Sequence, residues 1–160
     1  MKPLYIFDLD GTLALIDHRR HLVEGEKKDW PAFYRACVND EPNIPVIQTL
    51  QTLRKAGAEC WVWSGRSDEV RAETEEWLYE HRIIRSTMLL HWEPFTPPEA
   101  LKMRKAGDYT PDDVLKRHWL AELEPPEYGR LTAVFDDRDK VVDMWRAAGI
   151  ACFQVARGAF

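Results

Sequence analysis

The chain has little sulfur chemistry to offer. Its three cysteines, Cys37, Cys60 and Cys152, make an odd number and contain no C-x-x-C pair, so neither a thiolate metal site nor a redox pair is indicated. Two of them sit in apolar, strand-like runs, the setting of reduced core residues in a cytoplasmic protein. Long hydrophobic runs are missing as well. No stretch approaches a membrane span, and the N-terminus lacks a charged region followed by an apolar signal segment. Positive charge is in deficit: 22 Lys and Arg stand against 27 Asp and Glu, a formal net charge of −5. A protein that grips long duplex nucleic acid carries a basic stripe, so an extended duplex-binding surface is not expected. A small phosphorylated molecule, or the end of a strand, remains compatible with this balance. Internal repeats and low-complexity tracts are absent. What is there is an ordinary globular composition, 45% hydrophobic and 31% charged over 160 residues. That is enough for a single domain over 1–160 with a full core and a small insertion.

Strand-like apolar runs occur at 3–8, 59–63, around 87–91, 131–135 and 150–155, and helical patterns separate them at 45–56, 67–81, 111–122 and 138–148. Strands alternating with helices predict an α/β fold, a parallel sheet with helices on both faces. The helix at 111 has a marked start: Thr110 can cap it, Pro111 fits the first position, and Asp112 and Asp113 favour the positive end of the dipole. The segment 17–44 fits no strand and reads as a small helical, cap-like insertion over the sheet edge. Its one clear element is a short helix within Lys28–Arg35, with Asp29 as cap and Pro31 in the first turn. The stretch 92–109, with Pro94, Pro97, Pro98 and Gly107, reads as a loop with one helical turn at 98–104.

Ligands of parallel sheets bind beyond the carboxyl ends of the strands, and the polar motifs fall there. Asp8-Leu9-Asp10-Gly11-Thr12 follows the first run, Ser64-Gly65-Arg66 the second, and Asp136-Asp137 the fourth. Lys116 comes from the helix at 111–122, four residues from Asp112 and so on the same face. Phosphoryl transfer needs an in-line nucleophile, neutralised equatorial oxygens and a group to manage the leaving-group proton. Asp8 is placed as nucleophile and Asp10 as general acid and then base. The turn at Gly11 and Thr12, together with Ser64 and Gly65, is placed around the phosphate oxygens. Lys116 adds positive charge, with Asp112 positioning it. Asp8, Asp10, Asp136 and Asp137 are the expected ligands of Mg²⁺, which favours hard carboxylate and phosphate oxygens.

In this order the pieces resemble the haloacid dehalogenase superfamily of phosphohydrolases. The resemblance implies a Rossmann-like core, a Mg²⁺ cofactor and Asp-based phosphomonoester hydrolysis. A closer likeness covers Phe7–Ala14, Val62–Arg66, Gly107-Asp108 with Asp112–Lys116, and Phe135–Val155. These stretches resemble the 3′-phosphatase half of bacteriophage polynucleotide kinase/phosphatase. That family also uses arginines in its phosphatase site, which implies phosphate-binding roles for Arg19, Arg66 and Arg104. No G-x-x-x-x-G-K-S/T phosphate loop occurs, so the expectation is a phosphatase without the kinase half. Its expected substrate is a phosphorylated nucleic-acid end, with a mononucleotide as the alternative.

Several residues admit plainer readings. Ser64 could cap the helix at 67, Asp137 the helix at 138, and Lys116 could be a solvated helix lysine. His18 and His21 read as surface residues of the insertion. Trp61, Trp63, Trp77, Trp119 and Trp145 read as core. Trp30 and Trp92 fall in the insertion and the loop, with an opportunity to stack on a base and no pattern that requires it. A non-catalytic phosphate-binding module would show a damaged motif, and each motif is intact.

Overall fold

The computed structural model describes residues 1–84 and 100–159. Five parallel strands form the main sheet: β1 (Leu4–Phe7), β4 (Glu59–Ser67), β5 (Leu101–Arg104), β6 (Leu131–Asp136) and β7 (Cys152–Gln154). Their spatial order is β5-β4-β1-β6-β7. The chain therefore winds outward from β1 to one edge, returns, and winds outward to the other. The reversal beside β1 opens a crevice at the carboxyl ends of the strands.

Alternation along each strand decides which face it feeds. Leu4 and Ile6 join Trp61, Trp63 and Val134 beneath α5 (Asp112–Ala121) and α7 (Asp139–Ala147). Phe7, Cys60 and Val62 join Ile47, Leu50, Trp77 and Leu78 beneath α3 (Ile44–Lys55) and α4 (Arg71–Glu80). Trp63 centres the first layer, 5.9 Å from the Trp119 ring edge-on and 6.0 Å from Trp145. All five tryptophans read as core are buried, as are the three free cysteines. Burial pushes the Cys60 thiol up to about 11 and that of Cys152 to about 12, so both stay protonated.

The insertion after the first strand is helical. β2 (Ala14–Leu15) and β3 (Glu41–Pro42) pair antiparallel at its base. Between them lie α1 (Asp17–Arg20), α2 (Trp30–Arg35) and a 3₁₀ turn at Ala36–Asn39. Asp29 caps α2 as expected, accepting from Ala32 N at 2.9 Å, with proline in the first turn. α6 (Pro125–Arg130), a short proline-led helix before β6, was not expected.

Three expectations change. Residues 101–104 form edge strand β5, not part of a loop or helical turn, with Val62 opposite Leu101 and Ser64 opposite Met103. The alternation Leu101-Lys102-Met103-Arg104 is too short to read in isolation; β4 supplies its hydrogen bonds and the core receives Leu101 and Met103. β4 itself runs on through Ser67, with an irregularity between Ser64 and Ser67. Thr110 does not cap α5, because Pro111 takes the cap position instead of the first helical one, its carbonyl accepting from Leu115 N at 2.8 Å, and no side chain caps the helix. The strand expected at 87–91 lies outside the described residues. Among those residues, no helix is long and apolar enough to cross a membrane.

Candidate active site

At the end of β1 the backbone is forced into a tight turn. Asp8 N donates to Phe135 O of β6 at 2.9 Å, then Leu9 O accepts from Thr12, Leu13 and Ala14 in succession. Gly11 sits at φ +87°, where L side chains are strained. A Cβ there would also lie 2.2 Å from Asp137 Oδ2. Glycine thus lets the first acidic loop close against the second. The Thr12 hydroxyl, fully buried, donates to Asp8 Oδ2 at 3.3 Å.

Asp8, Asp136 and Asp137 are all buried, and each offers a carboxylate oxygen within 4.8 Å of the others. Lys116 Nζ donates to Asp8 Oδ1 at 2.6 Å and to Asp136 Oδ2 at 2.8 Å. One ammonium does not balance three carboxylates. Burial, with Asp136 and Asp137 adding to it, holds the Asp8 carboxyl well above its usual range despite Lys116. Burial and Asp136 likewise push Asp137 up to about 7. Burial disfavours the Lys116 ammonium, but Asp136 and Asp8 reverse the effect and raise its pKa. The donor set is hard oxygen, converging and short of positive charge, which fits a small divalent cation.

Asp10 belongs to a different cluster. Its Oδ1 accepts from Arg19 Nη2 at 2.9 Å and from Arg66 Nε at 3.1 Å, with Arg66 Nη2 closer still. Burial opposes its charge, but Arg66 and then Arg19 hold Asp10 down at about 2. Both guanidiniums also bind Asp40, which accepts from Arg19 Nε at 2.7 Å, Arg19 Nη2 at 2.6 Å and Arg66 Nη2 at 2.8 Å. His18 Nε2 lies 2.8 Å from Asp40 Oδ1. Trp77 Nε1 donates to the Asp40 carbonyl at 2.8 Å. Arg19 and Arg66 are almost wholly buried, and Arg19 lies 4.1 Å over the Phe33 ring.

A third group closes the rim. Arg104 Nε donates to Gly65 O at 2.8 Å and Nη2 to Asp112, whose other oxygen accepts from Arg138. A Cβ on Gly65 would lie 2.4 Å from Asp112 Oδ1, so glycine is what admits this carboxylate. Asp112 therefore contacts Arg104 and Arg138, not Lys116 as the four-residue spacing implied; Lys116 is oriented by Asp8 and Asp136. The Ser64 hydroxyl is fully buried and accepts from Arg66 N at 3.1 Å. It is Ser67 that caps the turn before α4, accepting from Glu69 N.

A cavity of about 890 Å³ opens over these groups. Asp8, Asp10, Arg66, Asp112, Lys116 and the Asp136–Asp137 pair all line it. Asp40 was not foreseen, although it joins both arginines. One acid in a polar segment carries no pattern, and only folding shows it 5% exposed between two guanidiniums. Arg138 was visible in the Asp136-Asp137-Arg138 string, but its pairing with Asp112 was not.

A family model, that of the polynucleotide kinase PNKP phosphatase domain, matches residues 2–160. A protein of Autographa californica nuclear polyhedrosis virus, described as a bifunctional polynucleotide kinase/RNA ligase, is 30% identical over 152 residues, 94% of this chain and 19% of its own length. A chain of the Pnkp1/Rnl/Hen1 RNA repair complex superposes with a TM-score of 0.77 at 31% identity, covering 99% of this chain and 44% of that one. The class C acid phosphatase from Bacillus anthracis, at 16% identity and a TM-score of 0.55, shares the fold over 92% of this chain and 60% of its own. The chain thus spans about a fifth of the viral relative and less than half of the repair-complex chain.

Proposed function

Because this chain belongs to the haloacid-dehalogenase-type PNKP phosphatase-domain family, and so is a phosphoric monoester hydrolase, we propose that it removes 3′-phosphate from nucleic-acid ends through an aspartyl-phosphate on Asp8, with Mg²⁺ as cofactor. The observation that carries this reading is the meeting of Asp8, Lys116 and the Asp136–Asp137 pair at one sheet edge, under a cavity that buried Arg66 and Arg104 also line.

The chain's own residues account for each requirement. Lys116 and Thr12 hold the two oxygens of Asp8 in one orientation, so the attacking carboxylate is placed before substrate arrives. Asp8 Oδ attacks phosphorus, the bond to the ester oxygen breaks, and that oxygen takes a proton from Asp10. Water then attacks the acyl phosphate, Asp10 takes the water proton, and phosphate leaves with Asp8 restored. At rest Asp10 is ionised, held by Arg66 and Arg19. A phosphate dianion competing for Arg66, which lines the cavity, weakens its hold and adds a negative neighbour, and both changes raise the Asp10 pKa toward proton transfer. Asp8, Asp136 and Asp137 would hold the cation, whose chemistry is to neutralise charge between the phosphate oxygens and the attacking carboxylate.

The likeness to a polynucleotide kinase/RNA ligase and to a chain of an RNA repair complex favours a polynucleotide over a free nucleotide, and the cavity is large for a lone phosphate. The test is a phosphate-release screen with and without Mg²⁺, over 3′- and 5′-phosphorylated oligonucleotides and nucleoside monophosphates. Mg²⁺-dependent release from the 3′-phosphorylated oligonucleotide is expected to be fastest. Faster release from mononucleotides would make the enzyme a nucleotidase.

A further inference from the structure

The cavity carries aromatic side chains that the phosphate chemistry does not use. Trp30 and Tyr34 of α2 stack with ring centroids 5.9 Å apart and an interplanar angle of 29°. Phe33 meets Trp30 edge-on at 5.7 Å and lies beneath the Arg19 guanidinium. The pair is therefore fixed to the arginine that binds Asp10. Tyr34 and Trp30 are only partly buried, and both line the cavity with Asp8 and Asp10. Burial raises the Tyr34 phenol above its ordinary pKa, with Arg104 opposing and Asp112 and Asp10 adding to the rise.

Tyr109, on the turn between β5 and α5, also lines the cavity and is 86% exposed. An exposed ring is common on a loose loop, but this turn is held at both sides. Arg104 Nη1 donates to the carbonyls of Asp108 at 3.2 Å and Thr110 at 2.6 Å, and Asp108 Oδ1 accepts from Thr110 N at 2.8 Å. The guanidinium that fixes Asp112 thus also fixes the turn that presents an unpacked aromatic ring.

In-line displacement sets where the substrate's organic part must lie. The leaving oxygen departs on the side of phosphorus opposite Asp8, which is the open side of the cavity. Flat, partly exposed rings there match the π-face of a base, and such stacking tolerates any base. We infer that Trp30 and Tyr34 on the insertion, with Tyr109 on the β5–α5 turn, form the subsite for the base of the nucleotide whose phosphate is removed. The inference rests on the function proposed above and adds its substrate determinant: a base at the terminal position, recognised by stacking.

The test uses the full chain with Mg²⁺ and two 3′-phosphorylated oligonucleotides, one with an ordinary terminal nucleotide and one whose terminal residue is a base-free tetrahydrofuran analogue. Tyr109→Ala alters an exposed side chain and should fold normally; Trp30→Ala is the second variant. For the wild type, KM should rise about tenfold on the base-free end with kcat little changed, the size expected of one stacked base. Each variant should raise KM on the ordinary end by about five- to tenfold and on the base-free end by less than about twofold. A wild type that treats both ends alike overturns the inference and leaves the proposed function standing. So do variants that lose equally on both ends, since that marks a structural role. If the wild type releases phosphate from neither oligonucleotide, the proposed function has failed and the inference falls with it.

Discussion

The site has two charged ends: three carboxylates, Asp8, Asp136 and Asp137, around the ammonium of Lys116, and two carboxylates, Asp10 and Asp40, facing the guanidiniums of Arg19 and Arg66. Both clusters are buried, yet their charge balance is opposite. The first is short of positive charge, and its acids respond by holding protons: Asp8 and Asp137 titrate above their usual range. The second is matched in formal charge, and Asp10 stays ionised far below it. A deficit invites a cation, whereas a balanced cluster is a finished framework that holds guanidiniums in place for an anion. The two ends should therefore answer opposite perturbations.

The sharpest contrast comes from removing one acid at each end. Asp8→Asn should cut turnover by at least about 10³-fold, as loss of a nucleophile does. It should not lower the midpoint of urea unfolding, because it relieves a crowd of like charges. A variant that keeps substantial turnover would take Asp8 out of the nucleophile role. Asp40→Asn should do the reverse in stability and cost about 3–5 kcal/mol in urea unfolding, since it leaves two buried guanidiniums with Asp10 as their one carboxylate among these partners. If Asp40→Asn unfolds at the wild-type midpoint, the balanced cluster is not a framework.

Acid separates the two ends more gently. The folded pKa of Asp10, about 2, lies below its unfolded value. Its stabilisation is therefore present in full above about pH 4 and is lost as the pH falls toward 2, a change of about 2–3 kcal/mol. In Asp10→Asn that portion of the acid limb should be missing from a pH series of unfolding midpoints. Asp137 behaves in the opposite sense. In the metal-free protein its pKa of about 7 exceeds the unfolded value, so its contribution is full below about pH 4 and is lost as the pH rises through 7. A cation must displace that proton. Mg²⁺ should bind about fivefold more weakly at pH 6 than at pH 7, and calorimetry in buffers of different ionisation enthalpy should register the proton released. Equal affinity at both pH values would remove Asp137 from the ligand set.

The same contrast explains what could be read before folding. Asp8, Asp10 and the Asp136–Asp137 pair lie in short strings just after apolar runs, and a parallel sheet carries such strings to one edge whatever the loops do. Lys116 was placed by its marked helix. Its partners were not, because a spacing of four fixes a shared helix face but not which of several nearby charges a side chain meets. Asp112 went to Arg104 and Arg138 instead. The balanced cluster was legible only in part. Arg19 and Arg66 came through a family resemblance, while Asp40 depended on how the insertion folds back onto β4 and α4. β5 and Tyr109 were hidden for a similar reason, since a four-residue alternation and a lone exposed ring acquire meaning only beside their neighbours.

Asp40 has one more effect. It fastens α1, through His18 and Arg19, to β4 through Arg66 and to α4 through Trp77. Swinging the insertion aside would tear several buried ionic contacts at once, a penalty too steep to meet in every cycle. The entrance therefore works as a doorway of fixed bore and not as a pair of jaws. Under the function proposed above, a strand would have to thread its tip inward to reach Asp8.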